Sequence, residues 1–222
     1  MDPIFPLLAV HISDRVLTWP WLVGGFAFLA VALGLALYRV DQDLIPRLGV
    51  LTAVFFVSSQ QHLPLGPASV HLLLNGLLGI LLGWRAVIAI SVGLTLQAWL
   101  LGHGGLTALG VNTLVMTLPA WFAYLAFRAL PKRNLFALGF FVGVSTALLT
   151  VVLHATVLYL GAEGDWAAIA KASLLLHLPI VALEGFIVAF AVTVVSNARP
   201  EWLGLAPSHQ PSGKTSENGT SH

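Results

Sequence analysis

The sequence predicts an all-α fold, a polytopic integral membrane bundle of about seven transmembrane helices. Of its 222 residues, 58% are apolar and 9% are charged, whereas soluble domains carry roughly 25% charged residues. The mean hydropathy of +0.91 comes from several long apolar runs, which are typical of chains whose solvent is lipid. A net charge of only +1 with scattered basic residues argues against a nucleic-acid partner.

The individual helices are predicted from apolar runs that are bounded by charges and by Pro/Gly clusters. These runs span residues 20–38, 46–59, 70–84, 86–101, 111–128, 134–160 and 172–196. The second and third runs are shorter than the roughly 20 residues that cross a bilayer core, and they flank the loop SQQHLPLGPAS. Irregular backbone at membrane depth is tolerated only inside protein or beside a polar cavity. We therefore expect this loop to pack inside the protein and to mark a binding site.

Basic residues predict the orientation of the bundle. Those that fall in alternate connections, which the positive-inside rule assigns to the cytoplasm, are Arg39, Arg47, Arg85, Arg128, Lys132, Arg133 and Arg199. Only Arg15 and Lys171 fall on the other side. The expected organisation is an extracytoplasmic segment 1–19, a transmembrane domain 20–196 and a disordered cytoplasmic tail 197–222. No cleavable signal peptide is evident, and the protein is expected in the inner cell membrane.

In the predicted topology, most of the histidines lie on the outer side of the membrane. Cysteine is absent, so a transition-metal site must use histidine, carboxylate or backbone atoms. Six histidines are predicted to lie outside or in the outer part of a span: His11, His62, His71, His103, His154 and His177. Neutral imidazole suits cobalt, nickel, copper and zinc. The alternative is that scattered histidines serve as interfacial hydrogen-bonding groups.

Two further side chains, Asn75 and Glu184, are candidates to support a site. His71 is predicted to begin a short helix, HLLLN, which would place Asn75 one turn further on the same face. Asn75 would then hold a metal-ligating side chain in place by a hydrogen bond, or it would simply join two helices. Glu184 lies within the last apolar run, where an ionised carboxylate is costly unless it is paired or hydrated. Its spacing of seven from His177 puts both on one face, either near a metal or in helix packing.

At this point the sequence resembles a known family. HISDRVL at 11–17 resembles the N-terminal MHIPDGxL signature of the CbiM/NikM family, the substrate-specificity subunits of cobalt and nickel energy-coupling-factor transporters. PLGPASVHLLLNGLLGILLGW at 64–84, LLGHGGLTALGVNTLVM at 100–116 and HLPIVALEGFIVAF at 177–190 are similar to its central and closing segments. Together these segments extend from residue 11 to about residue 195.

The resemblance implies that Co²⁺ or Ni²⁺ is captured near the outer face as a transported ion, without a permanently bound cofactor. By this resemblance His11 supplies imidazole and backbone nitrogen, the residue at the position of Val10 supplies an amine, and His71 matches the histidine of the family's VHL motif. Asp14, in the same N-terminal signature, is a further supporting candidate. The implied partners are a transmembrane coupling protein and cytoplasmic ATPase subunits, with a small accessory membrane subunit as a further possibility.

The N-terminus departs from the family pattern. Nine residues precede Val10, so its nitrogen is a peptide amide here, and Ser13 and Arg15 replace the family's Pro and Gly. Three explanations stay open. Residues 1–10 are a start-site artefact or are cleaved; or the site recruits another donor such as His62 or His103; or metal transport has been lost.

The sequence therefore supports more than one function. The first is a permease subunit that depends on separate ATPases, since the sequence contains no phosphate loop GxxxxGK followed by Ser or Thr. The second is a membrane enzyme or haem protein in which His154 and His177 face each other. The third is a sensor or structural protein derived from the permease fold. No GxSxG-like nucleophile turn is visible, and we do not expect an enzyme.

Overall fold

The computed structural model describes residues 12, 14–38, 40–60, 62–65, 68–162 and 166–205, with backbone only at 62–65 and 68–70. Its helices are α1 (Trp19–Leu37), α2 (Leu44–Ser58), α3 (Asn75–Leu82), α4 (Ala86–Leu101), α5 (Leu109–Ala129), α6 (Leu135–Gly161) and α7 (Ala167–Ala198). A 3-10 turn, Gly83–Arg85, joins α3 to α4, and another, Pro200–Leu203, follows α7. The bounds of α4 coincide with the predicted run 86–101. Most other helices begin or end within a few residues of the apolar runs that predicted them.

Five helical stretches of the described chain are long and apolar enough to cross a membrane. They are Trp19–Leu37, Asn75–Leu101, Leu109–Ala129, Leu135–Gly161 and Ala167–Ala198, whereas α2 is a shorter apolar helix. The chain is thus a multi-pass membrane protein. The number of crossings and the orientation of the termini stay predictions.

The loop between α2 and α3 forms a short antiparallel hairpin of β1 (His62–Leu65) and β2 (Ala68–His71). Its register pairs His62 with His71 and Leu65 with Ala68. The predicted helix 70–84 is therefore wrong at its start, because His71 ends a strand and the helix begins at Asn75. The predicted relation of His71 and Asn75 on one helical face is wrong for the same reason.

Helix α3 lies at the centre of the bundle. All eight of its residues are buried, as expected for a helix that is apolar all round. It packs against α5 and also touches α4, α6 and α7. Gly79 makes the α5 approach possible, because a Cβ atom there would overlap the backbone carbonyl of Ala120.

One end of the bundle gathers basic side chains from several connections. The start of α2, the turn after α3 and the end of α5 contribute Arg47, Arg85 and Arg128 to a cavity that Trp202 also lines. Arg47 donates a hydrogen bond to the Trp202 carbonyl at 3.0 Å and lies 4.8 Å from the centre of its ring. Residues up to 205 are thus part of the fold, so the predicted tail begins later than residue 197. Residues 206–222 lie outside the described part.

The opposite end is closed by the segment before α1. Thr18 donates a backbone hydrogen bond to Gly161 at 2.8 Å, and Leu17 forms a bridge with Ala162. The beginning of α1 and the end of α6 therefore meet at the end of the bundle away from the basic cavity. The chain leading into α1 is held against the α6–α7 connection.

Candidate metal site

His71 is buried at the end of β2, with 4% of its surface exposed. Its Nδ1 atom lies 3.0 Å from the carbonyl oxygen of Leu72. Because a carbonyl can only accept, Nδ1 carries the proton, and the lone pair of the neutral ring lies on Nε2. A backbone carbonyl that fixes the tautomer in this way is typical of metal-binding histidines.

The chain turns sharply after His71, and Glu184 of α7 holds the turn. The backbone N–H groups of Leu73 and Leu74 both donate to the Glu184 carboxylate, in the case of Leu74 at 3.0 and 3.1 Å. Leu74 has a left-handed backbone with φ 47°, which is unfavourable for a residue with a Cβ atom. Glu184, at 1% exposure, thus fixes the position from which His71 projects.

Asn75 begins α3 and joins it to two other helices. Its Nδ2 group donates to the Met116 carbonyl of α5 at 2.9 Å and to the Thr150 hydroxyl of α6 at 2.8 Å. These contacts position the start of α3, four residues after His71. No bond from Asn75 to His71 is among them, and the predicted support of a metal ligand by Asn75 stays a prediction.

Asn112 anchors the N-terminal segment inside the bundle. The Ile12 amide donates to Asn112 Oδ1 at 2.9 Å, and Asn112 Nδ2 donates back to the Ile12 carbonyl at 3.0 Å. Sequence reasoning assigned Asn112 no role, although an amide side chain within an apolar run is a signal that a polar partner is near. His11 and Val10, the predicted donors that precede Ile12, lie outside the described residues.

Asp14 adds a second attachment of the same segment. Its Oδ1 atom accepts hydrogen bonds from the Thr107 amide at 2.9 Å and from the Thr107 hydroxyl at 2.5 Å. Asp14 thus positions the segment after His11 by holding it to the α4–α5 connection. His103 lies in the same connection and is exposed, so its predicted role as an added donor stays a prediction.

Two further histidines are buried in the interior of the bundle. His154 of α6 and His177 of α7 are 1% and 0% exposed. Among the side chains that the structure describes, no group of three or more His, Asp or Glu could hold one metal ion. A complete metal site at His71 therefore needs donors of another kind, or donors from residues such as His11 and His62, whose side chains lie outside the described set.

Comparison with known proteins relates this chain to metal transporters. A family model described as the cobalt uptake substrate-specific transmembrane region, CbiM, matches residues 11–202. The cobalt transport protein CbiM of Sorangium cellulosum is 32% identical over 212 residues, which cover 87% of this chain and 94% of that protein. A fused nickel transport protein NikMN of Rhodobacter capsulatus is 34% identical over 131 residues, or 56% of this chain and 38% of that protein.

Solved structures show the same fold. The crystal structure of a transition metal transporter superimposes with a TM-score of 0.72 at 24% identity, covering 85% of this chain and 93% of that one. A truncated transition metal transporter gives a TM-score of 0.73 at 22% identity, covering 85% and 99%. At these identities the likeness concerns the arrangement of the helices.

Proposed function

This chain belongs to the CbiM family, the cobalt uptake substrate-specific transmembrane region, and we propose that it is the substrate-binding membrane subunit of an importer for Co²⁺ or Ni²⁺. The ion is the cargo of the protein, and no covalent step is involved. The proposed location is the inner cell membrane. The resemblance of the N-terminal and central segments to the CbiM/NikM signatures supports the role as a substrate-binding subunit and the choice of Co²⁺ or Ni²⁺ as the ion.

One observation carries the proposal: α5 brings the N-terminal segment and the start of α3 together. Asn112 binds Ile12, and the carbonyl of Met116, four residues later, binds Asn75. Residues four apart on a helix lie on one face, about one turn apart. The residue after His11 and the helix after His71 are thereby attached to neighbouring turns of the same helix.

The donor chemistry suits a borderline divalent ion. Nε2 of His71 carries a lone pair, and the strand register places His62 opposite His71. We assign the remaining donors to His11, through its imidazole and backbone nitrogen, with the nitrogen of Val10 as a further donor. A set of nitrogen donors without thiolates favours Ni²⁺ or Co²⁺ over magnesium or calcium. His62 and His103 are the alternatives if the Val10 nitrogen stays a peptide amide.

The energy for import would come from other subunits. The sequence has no phosphate loop of the form GxxxxGK followed by Ser or Thr, the element that binds the nucleotide in many ATPases. The proposed partners are a transmembrane coupling protein, cytoplasmic ATPases and a small accessory membrane subunit. Co-purification of these subunits with a tagged chain tests this arrangement.

The experiment that tests the proposed function is calorimetric titration of the purified full chain with Ni²⁺ and with Co²⁺. His71→Ala should weaken binding at least tenfold, because it removes one imidazole from a site of few donors. His209→Ala, which removes an imidazole from the C-terminal tail, is the matched control and should bind like the parent protein. Equal affinity of His71→Ala and the parent would refute the assignment of His71 as a ligand.

The contribution of the N-terminus is tested with the same titration. A chain that begins at Val10 has a primary amine at that position, whereas the full chain has an amide, which binds metal only after losing a proton it holds tightly. If Val10 is a ligand, the shorter chain should bind Ni²⁺ more tightly. If affinity is unchanged and His62→Ala or His103→Ala now costs as much as His71→Ala, the site uses those histidines instead.

A further inference from the structure

The proposed site does not use His154 and His177, which are buried between α6 and α7. Within the described chain, neither ring nitrogen of His154 has a hydrogen-bond partner, and neither does Nε2 of His177. The hydroxyl of Ser173, which is 0% exposed, also lacks one. Leaving a buried polar group unsatisfied costs about 1–3 kcal/mol. Four unpartnered nitrogen and oxygen atoms in one helix interface indicate that a bound ligand supplies their partners.

The helix register brings these three side chains together. A Cβ atom on Gly143 of α6 would lie 2.9 Å from Val188 Cβ and 3.2 Å from the Glu184 carbonyl of α7. His154 lies eleven residues after Gly143, while His177 and Ser173 lie eleven before Val188 and Glu184. Eleven residues are about three helical turns, so the same faces meet again. This register places His154 against His177 and Ser173.

The protonation of the two rings leaves lone pairs inside this cluster. Nδ1 of His177 lies 2.6 Å from the Ser173 carbonyl, and since a carbonyl only accepts, Nε2 of the neutral ring is the basic nitrogen. A neutral His154 ring carries one basic nitrogen in either tautomer. The two imidazoles and the Ser173 hydroxyl together offer two nitrogen donors and one oxygen donor, a set that suits Co²⁺, Ni²⁺ or Zn²⁺.

We propose that His154, His177 and Ser173 form a second, internal site for a borderline divalent metal ion, between α6 and α7. Two imidazoles and a hydroxyl make a weaker site than a full nitrogen set, which suits an ion that passes through. That this ion is the transported one rests on the proposed function. The existence of the internal site is independent of the proposed function.

The test uses the full chain with His71→Ala, in which the proposed first site is weakened. Titration with CoCl₂, followed by the visible ligand-field absorption of Co²⁺, should show residual binding. Adding His154→Gln or His177→Gln should weaken that binding more than tenfold, whereas adding His209→Gln should not change it. Two separate histidine variants are used so that a folding defect in one, detected by its unfolding temperature, does not decide the result.

The outcomes separate this inference from the proposed function. No Co²⁺ binding by His71→Ala, or unchanged binding after His154→Gln and His177→Gln, would show that the cluster does not bind the metal ion and would overturn the inference. If the parent and His71→Ala bind equally and both His154→Gln and His177→Gln abolish binding, the internal site stands and the assignment of His71 fails.

Discussion

Arg15 has a left-handed backbone with φ 68°, at the position where the CbiM/NikM signature has glycine. A residue with a Cβ atom pays roughly 1–2 kcal/mol for this conformation, while glycine loses about 0.5–1 kcal/mol through its freer unfolded chain. We predict that Arg15→Gly stabilises the protein slightly, by about 0.5–1 kcal/mol. Thermal unfolding in detergent measures the change. Arg133→Gly, at a residue without positive φ, is the control and should not stabilise.

Glu184 provides the second prediction at the scale of single residues. Glu184→Ala leaves the buried N–H groups of Leu73 and Leu74 without an acceptor, which costs about 1–3 kcal/mol for each group. The unfolding temperature and the Ni²⁺ affinity should therefore both fall, because the turn after His71 is released. Glu184→Gln keeps one acceptor oxygen and should be intermediate. Glu201→Ala removes a carboxylate that pairs at 3.6 Å with exposed Arg199 and should change neither quantity.

At the scale of elements, the hairpin and the short helix α3 occupy the region where the sequence predicted a helix over residues 70–84. Eight residues of α3 rise about 12 Å, less than half of the roughly 30 Å bilayer core. The irregular chain before α3 can lie inside the bundle because the Glu184 carboxylate accepts hydrogen bonds from its N–H groups and other helices cover it. The Glu184 carboxylate and these N–H groups form a polar region inside an otherwise apolar bundle, and His71 lies beside it in the chain.

The contact of α6 with α7 gives the prediction for this scale. Gly143→Ala would place a Cβ atom 2.9 Å from Val188 Cβ and 3.0 Å from Gly185 Cα, so the helices must separate, at a cost of roughly 1–3 kcal/mol. Because Glu184 and His177 lie on the same helix, Ni²⁺ or Co²⁺ binding should weaken as well. Gly34→Ala has nothing within 4 Å of the added atom and should be neutral or stabilising. Equal unfolding temperatures for the two variants would contradict the close packing of α6 on α7.

At the scale of the whole molecule, basic residues mark one end of the bundle. Arg47, Arg85, Arg128 and Lys132 line one cavity although they come from three separate parts of the sequence. By the positive-inside rule this end should face the cytoplasm. We predict that a phosphatase fused after His222 is inactive and that a green fluorescent protein fused there is fluorescent. Active phosphatase at this position would reverse the orientation.

The sequence by itself determined the properties that depend on one segment at a time. Apolar runs without charges predicted a membrane protein and the bounds of α4, because transfer into lipid depends on local composition. The alternation of basic connections predicted that Arg47, Arg85, Arg128 and Lys132 lie at the same end of the bundle, where they line one cavity. The motif around His71 predicted a candidate ligand, since the residue types and their order were those of a known family.

Only the tertiary structure decided which polar groups meet. The sequence predicted a helix from residue 70, whereas residues 68–71 form a strand, because a short segment of this kind fits either structure. Leu73 finds its acceptor in Glu184, 111 residues away. The pairing of Ile12 with Asn112 across 100 residues is equally invisible to local patterns. Buried polar groups must be satisfied wherever a partner lies in space, so the contacts that build the site follow from helix packing and cannot be read along the chain.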